Sequence, residues 1–396
     1  MTHTVKHHLK HDMNTTRLWR LPINVGLLVG VVWALCESPL LVLSKIFCFC
    51  FFHPKTKQDV AISILTEWRV NSSVSSVLIR GHNNKLPPLL IIHGGPGSSS
   101  FPFYALSAGK LLEKFFCVCH YDQRSALKSG HRNHHDNSFF ETVTIQQHVL
   151  DVICVAQQLC AKFKVQKVHL LGGSWGTILC LLAARDRPDL FDSVILRGLV
   201  VDTKRSEMLS TKYLLKRQHE IGLPYFSALD IERNRVHLTH PRRTSQQLLA
   251  QRMQLVAVGG TRYNISERKI PVSFWRSKAN LIKAGLVCPE LSVFEIMSGL
   301  ENGRRTLHKL WPSIKNFISF QHIPKLDGVA KVLILHGRFD HCTSASLVEA
   351  WFEKFEVTNG EKKLVWFEKS GHSPQIEEKN RFVQEIVSYV LLPERV

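Results

Sequence analysis

Acidic residues are scarce in this sequence of 396 residues, which has 32 aspartates and glutamates against 51 lysines and arginines. The formal net charge of +19 favours anionic neighbours, such as lipid headgroups, nucleic acid or acidic ligands, without choosing among them. Internal repeats and low-complexity tracts are also lacking, and 44% hydrophobic with 21% charged residues is the composition of a packed globule. Collagen, whole-chain disorder and a polytopic membrane protein are therefore excluded.

Cysteine pairs with the spacing of a zinc site are lacking too. None of the ten cysteines falls in a C-x-x-C pair of the kind that binds zinc, and most lie in apolar or helical patterns. We therefore expect buried free thiols, not a disulfide scaffold, and no metal or other cofactor. The basic residues are not interleaved with aromatic residues on a recognisable module, so nucleic acid is not an expected partner.

One long hydrophobic run lies near the N-terminus. Residues 21–36 carry no charge, and after Glu37 and Pro39 the run continues to Ser44. A spanning helix needs about 20 apolar residues, so the run is long enough only if Glu37 and Pro39 are included. The first interpretation is a single-pass membrane anchor. A cleaved signal peptide, which would make the protein secreted or lumenal, and a hairpin in the membrane interface are alternatives.

From about residue 60, short apolar strands alternate with amphipathic helices. Six apolar runs predict buried strands: Pro88–His93, Lys114–Tyr121, Val168–Leu171, Val194–Leu196, Lys331–His336 and Lys363–Phe367. Apolar residues at helical spacing predict helices over 144–159, 177–185 and 380–392. Strands and helices that take turns indicate an α/β fold with a mostly parallel, doubly wound sheet.

The alternation stops between about residues 201 and 321. This stretch is helix-prone, and 201–300 contains 16 lysines and arginines against 8 acidic residues. An inserted helical cap explains it better than an irregular loop of such length. The predicted units are an N-terminal tail with the apolar segment, the first part of the core, the cap and the second part of the core, over 1–55, 56–200, 201–321 and 322–396.

A serine flanked by glycines lies between a predicted strand and a predicted helix. The run Gly172-Gly173-Ser174-Trp175-Gly176 has the form G-x-S-x-G in the setting that a nucleophile elbow requires. The glycines avoid clashes in a very tight turn, whose strain directs the hydroxyl outward at the carboxyl edge of the sheet. A phosphate-binding loop is disfavoured because no Lys-Ser/Thr pair follows. Ser174 is therefore the predicted nucleophile.

A serine hydroxyl needs a general base, and the base needs a carboxylate to orient it. In this topology the order along the chain is serine, acid, histidine, with each residue in a loop after a strand. Asp340 follows the strand Lys331–His336, and His372 lies in a glycine-containing loop after the last strand. His341 is adjacent to the orienting acid, which makes it a poor alternative base. We predict a triad of Ser174, Asp340 and His372.

A glycine-rich loop, His93-Gly94-Gly95-Pro96-Gly97-Ser98, follows the first apolar strand. Glycines allow the backbone to approach a bound carbonyl and to point its N–H groups at a developing oxyanion. We predict Gly95 as the first donor and Gly94 as the second, joined by the backbone N–H of Trp175. The spacing is not the G-x-G-x-x-G of a dinucleotide loop.

Several motifs together resemble the prolyl iminopeptidase group of α/β-hydrolases: HGGPGSSS (93–100), DQR (122–124), GGSWGT (172–177), LRG (196–198), GRFDHCTS (337–344) and SGHS (370–373). The resemblance covers roughly 60–200 and 325–396 and implies an α/β-hydrolase fold with a helical cap. By position it implies Ser174 as nucleophile, Asp340 as orienting acid and His372 as base. It places residues 122–124 in a buried structural loop.

The resemblance implies a serine hydrolase that works through an acyl-enzyme and releases an N-terminal residue, proline in particular, from small peptides. Aminopeptidases of this group hold the free amine of the substrate with glutamates of the cap, because a buried ammonium needs a carboxylate partner. Among the cap acids here, Glu220, Asp230, Glu232, Glu290 and Glu295 do not match those amine-binding positions. Because the cap is basic, an esterase or lipase acting on membrane-derived acyl substrates is the alternative. A non-catalytic, membrane-tethered interaction protein is a second alternative, which the complete triad disfavours.

Overall fold

An eight-stranded sheet forms the centre of the protein in a computed structural model that describes residues 61–101, 107–133, 137–221, 244–264, 288 and 290–392. Its strands are β1 (Ile62–Val70), β2 (Ser73–Gly81), β3 (Pro88–Ile92), β4 (Cys117–Tyr121), β5 (Val168–Gly173), β6 (Phe191–Arg197), β8 (Lys331–Gly337) and β10 (Glu361–Phe367). A separate parallel pair joins β7 (Lys325–Asp327) to β9 (Glu356–Thr358). In the large sheet the order is β1-β2-β4-β3-β5-β6-β8-β10, antiparallel at β1 and β2 and parallel from β4 onward.

All six predicted strands are present, with ends that shift by a few residues. β5 continues to Gly173, and β6 begins at Phe191. β4 begins at Cys117 and not at Lys114, because the preceding residues form a turn in which the Phe115 N–H donates to the Leu112 carbonyl. The structure thus confirms the α/β fold and its mostly parallel sheet.

The hairpin of β1 and β2 has no counterpart among the predicted strands. Its turn contains Asn71, whose φ of 52° lies in the left-handed region that asparagine tolerates. β1 is an edge strand with mostly exposed side chains, and β2 carries three buried serines, so neither strand has a strong hydrophobic pattern. The Ser76 N–H donates to the Ser129 hydroxyl at 2.9 Å, which holds the serine half of β2 while its later residues 77–79 are buried in the core.

Helices cover the sheet and form the cap. They are α1 (Gly109–Leu112), α2 (Leu127–Asn133), α3 (Ile145–Phe163), α4 (Trp175–Asp186), α5 (Thr203–Ile221), α6 (Ser245–Ala257), α7 (Val293–Ile314), α8 (Ser319–His322), α9 (Ala345–Lys354), α10 (Pro374–Glu377) and α11 (Lys379–Val390). The predicted helices correspond to α3, α4 and α11. α3 begins where the Thr144 hydroxyl accepts from the Gln147 N–H, an N-cap that satisfies one free donor of the first turn.

Successive residues of the central strands face two separate cores. Leu89 and Leu171 pack with α1 and α11, whereas their neighbours Leu90 and Leu170 pack with α3, α4 and α9. This alternation follows from the two-residue period of a strand, and helices on both faces bury strands that are apolar on both sides. Burial on this scale holds the strand ends, and the loops that follow them, in fixed positions.

Three long helices, α5, α6 and α7, lie between β6 and β7 in the part of the chain that the structure describes. α6 and α7 each begin with a capping box, formed by Thr244 with Gln247 and by Ser292 with Glu295. α7 rests on the core so closely that a Cβ placed on Gly97 would lie 2.7 Å from the Gly303 Cα. The cap therefore contacts the glycine-rich loop after β3 directly.

The predicted N-terminal unit, residues 1–55 with its apolar segment, lies outside the described residues. None of the helices described for this chain combines the length and the hydrophobicity needed to span a membrane.

The cysteines within the described ranges are free thiols, as the sequence predicted. Five are buried, and two, Cys154 and Cys160, are half-buried. Burial raises the pKa of the Cys342 thiol to about 12 and that of Cys117 to about 11, so both stay protonated at neutral pH.

Candidate active site

Ser174 occupies the turn between β5 and α4 with an uncommon backbone conformation, φ 54° and ψ −121°. A non-glycine residue at positive φ costs on the order of 1–3 kcal/mol, which the surrounding structure must offset. The turn is held from both sides. The Ser174 N–H donates to the Arg197 carbonyl at 2.9 Å, and the Ser174 carbonyl accepts from the Thr177 hydroxyl at 2.6 Å.

The flanking glycines are required by close packing. A Cβ on Gly176 would lie 2.2 Å from the Ile92 carbonyl oxygen, and one on Gly172 would lie 2.6 Å from the Cys180 sulfur. Real Cβ atoms essentially never come so close to backbone oxygen, so α4 can start at this point only with glycine in these positions. The G-x-S-x-G pattern therefore reflects the geometry of a tight strand-to-helix turn.

Asp340 and His372 lie in the loops after β8 and β10, and the structure brings them together. The His372 Nδ1 is 2.7 Å from the Asp340 Oδ2. Because β5, β8 and β10 run parallel in one sheet, their carboxyl ends place Ser174, Asp340 and His372 on the same edge. The Asp340 side chain is fully buried, whereas Ser174 and His372 are partly exposed, as a site open to substrate requires.

The Asp340 carboxylate is saturated with hydrogen bonds. Its Oδ1 accepts from the backbone N–H groups of Cys342 and Thr343 at 2.8 and 2.9 Å, and its Oδ2 also accepts from the Thr343 hydroxyl at 2.7 Å. Burial opposes ionisation, but the adjacent His372 and these donors outweigh it and hold the pKa of Asp340 well below its usual range. The acid is therefore a fixed anion that orients the imidazole through Nδ1.

His341, the neighbouring histidine, is directed toward the cap. Its ring stacks on Tyr213 of α5 with 3.6 Å between ring centroids, and its backbone N–H donates to the Gly260 carbonyl at 2.9 Å. Burial lowers its pKa to about 4, so it is neutral in the folded protein at neutral pH. These contacts place it in the interface between the Asp340 loop and the cap.

Arg197, at the end of β6, contacts both the predicted nucleophile turn and the predicted base loop. Its carbonyl accepts from the Ser174 N–H, and its Nη1 donates to the His372 carbonyl at 2.9 Å. The next residue, Gly198, has φ +60°, and a Cβ there would lie 2.9 Å from the His372 Cε1. Arg197 belongs to the LRG motif, but the sequence alone predicts no role for it. The only available signal was its place at the carboxyl end of a central strand.

The loop after β3 lies against the nucleophile turn, as the prediction for Gly94 and Gly95 requires. A Cβ on Gly94 would be 2.9 Å from the Gly173 carbonyl oxygen and 3.2 Å from the Ser174 Cβ. Gly95 is exposed and has φ +118°, a conformation that L-residues rarely adopt. The Ser98 hydroxyl donates to the Gly94 carbonyl at 2.7 Å and so bridges the turn of this loop.

A buried network connects this loop to Trp175. The Gln123 side chain donates to the His93 carbonyl at 2.8 Å and accepts from the Trp175 Nε1 at 3.0 Å. The Gln123 N–H points at the His93 Nε2, so the neutral ring carries its proton on Nδ1 and donates it to the Gly94 carbonyl at 2.9 Å. Burial lowers the pKa of His93 to about 4 and keeps the ring in this form.

Residues 122–124 are buried, in agreement with the structural role that the resemblance implied. Asp122 accepts from the Ser99 hydroxyl and from the Lys128 N–H, and burial raises its pKa to about 7. Arg124 forms a bidentate pair with Asp151, at 2.7 and 2.8 Å. These contacts connect the loop to α2 and α3, the helices that contain Lys128 and Asp151.

Asp340, Cys342 and His372 lie close enough together to be considered as metal ligands. The chemistry of the donors does not suit a metal. The Asp340 oxygens already accept four hydrogen bonds, and the Cys342 thiol is protonated at neutral pH because of its burial. The arrangement suits an acid that orients a histidine.

We expect the free energy of unfolding to increase with pH between about 4.5 and 6.5. Burial lowers the pKa of His93 to about 4 and that of His120 to about 3, and also lowers that of His336. In this range the unfolded chain binds more protons, so each such histidine adds up to about 1.4 kcal/mol of stability per pH unit. Burial raises the pKa of Asp122 to about 7, which makes stability fall with pH over the same range. The three histidines together have the larger effect on the slope. Urea denaturation at several pH values measures the slope, and a flat profile would contradict the expectation.

Comparisons with known proteins agree with this geometry. A family model described as the alpha/beta hydrolase fold matches residues 87–379. A probable aminopeptidase of Bacillus subtilis is 27% identical over 328 residues, which cover 82% of this chain and 96% of the relative. A proline iminopeptidase of Heyndrickxia coagulans is 25% identical over 304 residues, covering 76% and 90%. The solved structure of a proline iminopeptidase of Mycobacterium smegmatis has the same fold, with a TM-score of 0.55 at 18% identity, over 83% of this chain and 97% of that one. The resemblance carried by the motifs is confirmed.

Proposed function

Because this chain belongs to the α/β-hydrolase family, we propose that it is a serine hydrolase whose triad is Ser174, Asp340 and His372. The observation that carries the proposal is the 2.7 Å hydrogen bond between the His372 Nδ1 and a buried, ionised Asp340, on the sheet edge where Ser174 occupies a strained turn. A histidine held in this way presents Nε2 as a base for a serine hydroxyl.

The proposed reaction has two halves. The Ser174 Oγ attacks a substrate carbonyl while the His372 Nε2 takes its proton, and the same proton then goes to the leaving amine or alcohol as the acyl-enzyme forms. In the second half, the His372 Nε2 takes a proton from water as the water oxygen attacks the acyl carbonyl. The proton then goes to the Ser174 Oγ as the ester bond breaks, which releases the acyl group as a carboxylic acid and regenerates the serine. The N–H groups of Gly95, Gly94 and Trp175 are the proposed donors to the oxyanion in both halves.

We propose an N-terminal residue of a small peptide, in particular proline, as the group that is released. Two relatives that align over most of their own length are named as an aminopeptidase and a proline iminopeptidase, which supports this substrate class. The cap contacts the loops of the site, through Gly303 of α7 against Gly97 and Tyr213 of α5 against His341, and would shape the pocket.

A second candidate, an esterase or lipase, is favoured by the charges of the cap. Every glutamate described between 201 and 321 contacts a lysine or arginine: Glu207 with Arg252, Glu220 with Arg217, Glu290 with Arg80, Glu295 with Lys128 and Glu301 with Arg304. A carboxylate that already neutralises a cation is a weaker partner for a substrate ammonium. Asp230 and Glu232 lie outside the described residues. An uncharged acyl ester needs no such partner.

Matched substrates separate the two candidates. We expect the purified full chain to release naphthylamine from proline naphthylamide, and acetylation of the proline nitrogen to abolish the release because it removes the ammonium. The measurement is the initial rate by fluorescence, with p-nitrophenyl butyrate as the ester in parallel. Turnover of the ester alone would favour the second candidate. If neither substrate reacts and a fluorophosphonate does not label Ser174, the serine-hydrolase proposal is wrong.

A further inference from the structure

The segment that follows α6, residues 259–263, contacts both loops that carry the proposed acid and base. The His372 N–H donates to the Thr261 carbonyl at 2.9 Å. On the other side, the N–H of His341, the residue after Asp340, donates to the Gly260 carbonyl at 2.9 Å. The cap main chain therefore accepts one hydrogen bond from each of the two loops.

The side chain of Glu377, on α10, bridges the His372 loop and the cap segment. Its Oε2 accepts from the Gly371 N–H at 2.8 Å, and its Oε1 accepts from the Tyr263 N–H at 2.9 Å. A single carboxylate thus joins the residue before His372 to the cap segment. Glu377 has no predicted role in the sequence, because neither its spacing nor its neighbours form a motif.

The packing around these bonds leaves little room for the loops to shift. A Cβ on Gly371 would lie 2.4 Å from the Thr261 carbonyl oxygen, so only glycine allows the cap segment to approach. The Tyr263 ring meets the ring of Phe339, the residue before Asp340, edge to face with 4.8 Å between centroids. Polar and aromatic contacts therefore fix the same two loops to the same cap segment.

Glu377 is poorly placed to act on a substrate itself. Both of its oxygens are engaged by backbone N–H groups. Burial raises its pKa, while these N–H groups act to lower it. The contacts suit a carboxylate that holds two backbone segments in a fixed relative position.

We propose that Glu377 and residues 259–263 form a positioning unit, the cap–base link, that sets the His372 imidazole relative to Ser174. The cap is then part of the apparatus that orders the base, in addition to covering the substrate. This inference rests on the proposed function, because it assigns the link a role through His372. Small displacements of a catalytic group are costly, since an error of about 1 Å can reduce a rate by about 100-fold.

The test replaces Glu377 with glutamine, which keeps the shape of the side chain but turns one acceptor oxygen into a donor that faces an N–H group. We expect the second-order rate of Ser174 phosphonylation by a small alkyl fluorophosphonate to fall by about 10- to 100-fold. This probe tests the nucleophile and its base with little need for the cap pocket. With a substrate, kcat should fall by a similar factor while KM changes less than about threefold.

Two further variants make the result decisive. Glu377→Asp keeps the charge, but its side chain is too short to reach both N–H groups, so we expect its phosphonylation rate to fall as well. This variant replaces Glu377→Gln in the test if the glutamine variant does not fold. Glu385→Gln alters a surface carboxylate on α11 that pairs with Lys363 at 3.0 Å, and we expect the wild-type rate. Far-UV circular dichroism and thermal unfolding identify the folded variants.

The possible outcomes separate the two proposals. A folded Glu377→Gln chain that reacts with the probe at the wild-type rate, with unchanged kcat, would overturn the cap–base link and leave the triad proposal standing. If the wild-type chain itself is not labelled and turns over no substrate, the proposed function is wrong, and the role of the link falls with it.

Discussion

Replacing Ser174 with alanine will lower kcat/KM by about 10⁴- to 10⁶-fold, whichever substrate class the wild type accepts. The variant removes the hydroxyl that is proposed to form the acyl-enzyme, so the residual rate should come from substrate binding and the proposed oxyanion donors alone. Alanine is smaller than serine and makes no new contact in the turn, so the protein should remain folded. Steady-state rates and the loss of fluorophosphonate labelling, read by intact mass, measure the effect.

Ser346→Ala provides the matched control for this variant. Ser346 is an exposed serine in the first turn of α9, and it should be labelled and turn over substrate as the wild type does. If Ser174→Ala retained more than about a tenth of the wild-type kcat/KM, another residue would be the nucleophile and the elbow would have only a structural role.

Replacing Asp340 with asparagine will lower kcat by about 10³- to 10⁴-fold. The Oδ2 accepts from the His372 Nδ1, and the Oδ1 accepts from two backbone N–H groups. Whichever way the amide is oriented, its NH₂ group faces donors, so either the imidazole is held in the wrong tautomer or buried N–H groups lose their acceptor. The loss of activity is measured as kcat over a range of pH. The rate of Ser174 phosphonylation on its pH-independent plateau gives a second measurement.

Asp327→Asn tests whether the effect is specific. Asp327 is an exposed acid on β7 that pairs with Lys325 at 3.0 Å, and its variant should keep wild-type kcat. A folded Asp340→Asn enzyme within tenfold of the wild type would mean that the short contact with His372 does not orient the base during turnover.

The core strands could be predicted because each is a short, nearly continuous apolar run. The run Lys331–His336 became β8, and Val168–Leu171 became β5. Such runs are typical of parallel strands that are buried on both faces. The antiparallel strands β1 and β2 were not predicted, because β1 is mostly exposed at the sheet edge and β2 has only three apolar core residues, 77–79, after a run of buried serines.

The candidate site was predicted to a similar extent and for a similar reason. Ser174, Asp340 and His372 each follow a strand, and parallel strands end at a common edge, so their neighbourhood follows from the order of the strands. Arg197 and Glu377 could not be assigned in this way. Arg197 binds the backbone of His372, and Glu377 binds the backbone of Gly371 nearby and of Tyr263 far away in the chain. A backbone N–H or carbonyl carries no residue identity, so no motif marks these bonds.

The amino-acid sequence by itself determined the α/β sheet, the tight turn at Ser174 and the loops that carry Asp340 and His372, because apolar runs and glycine spacing act locally. Only the tertiary structure decided how those loops are held, through Arg197 from β6 and through the cap segment 259–263 from above. It also decided that the described cap glutamates are paired with cations. These features depend on distances between segments that are remote in the chain, and such distances are fixed by packing and not by any local pattern.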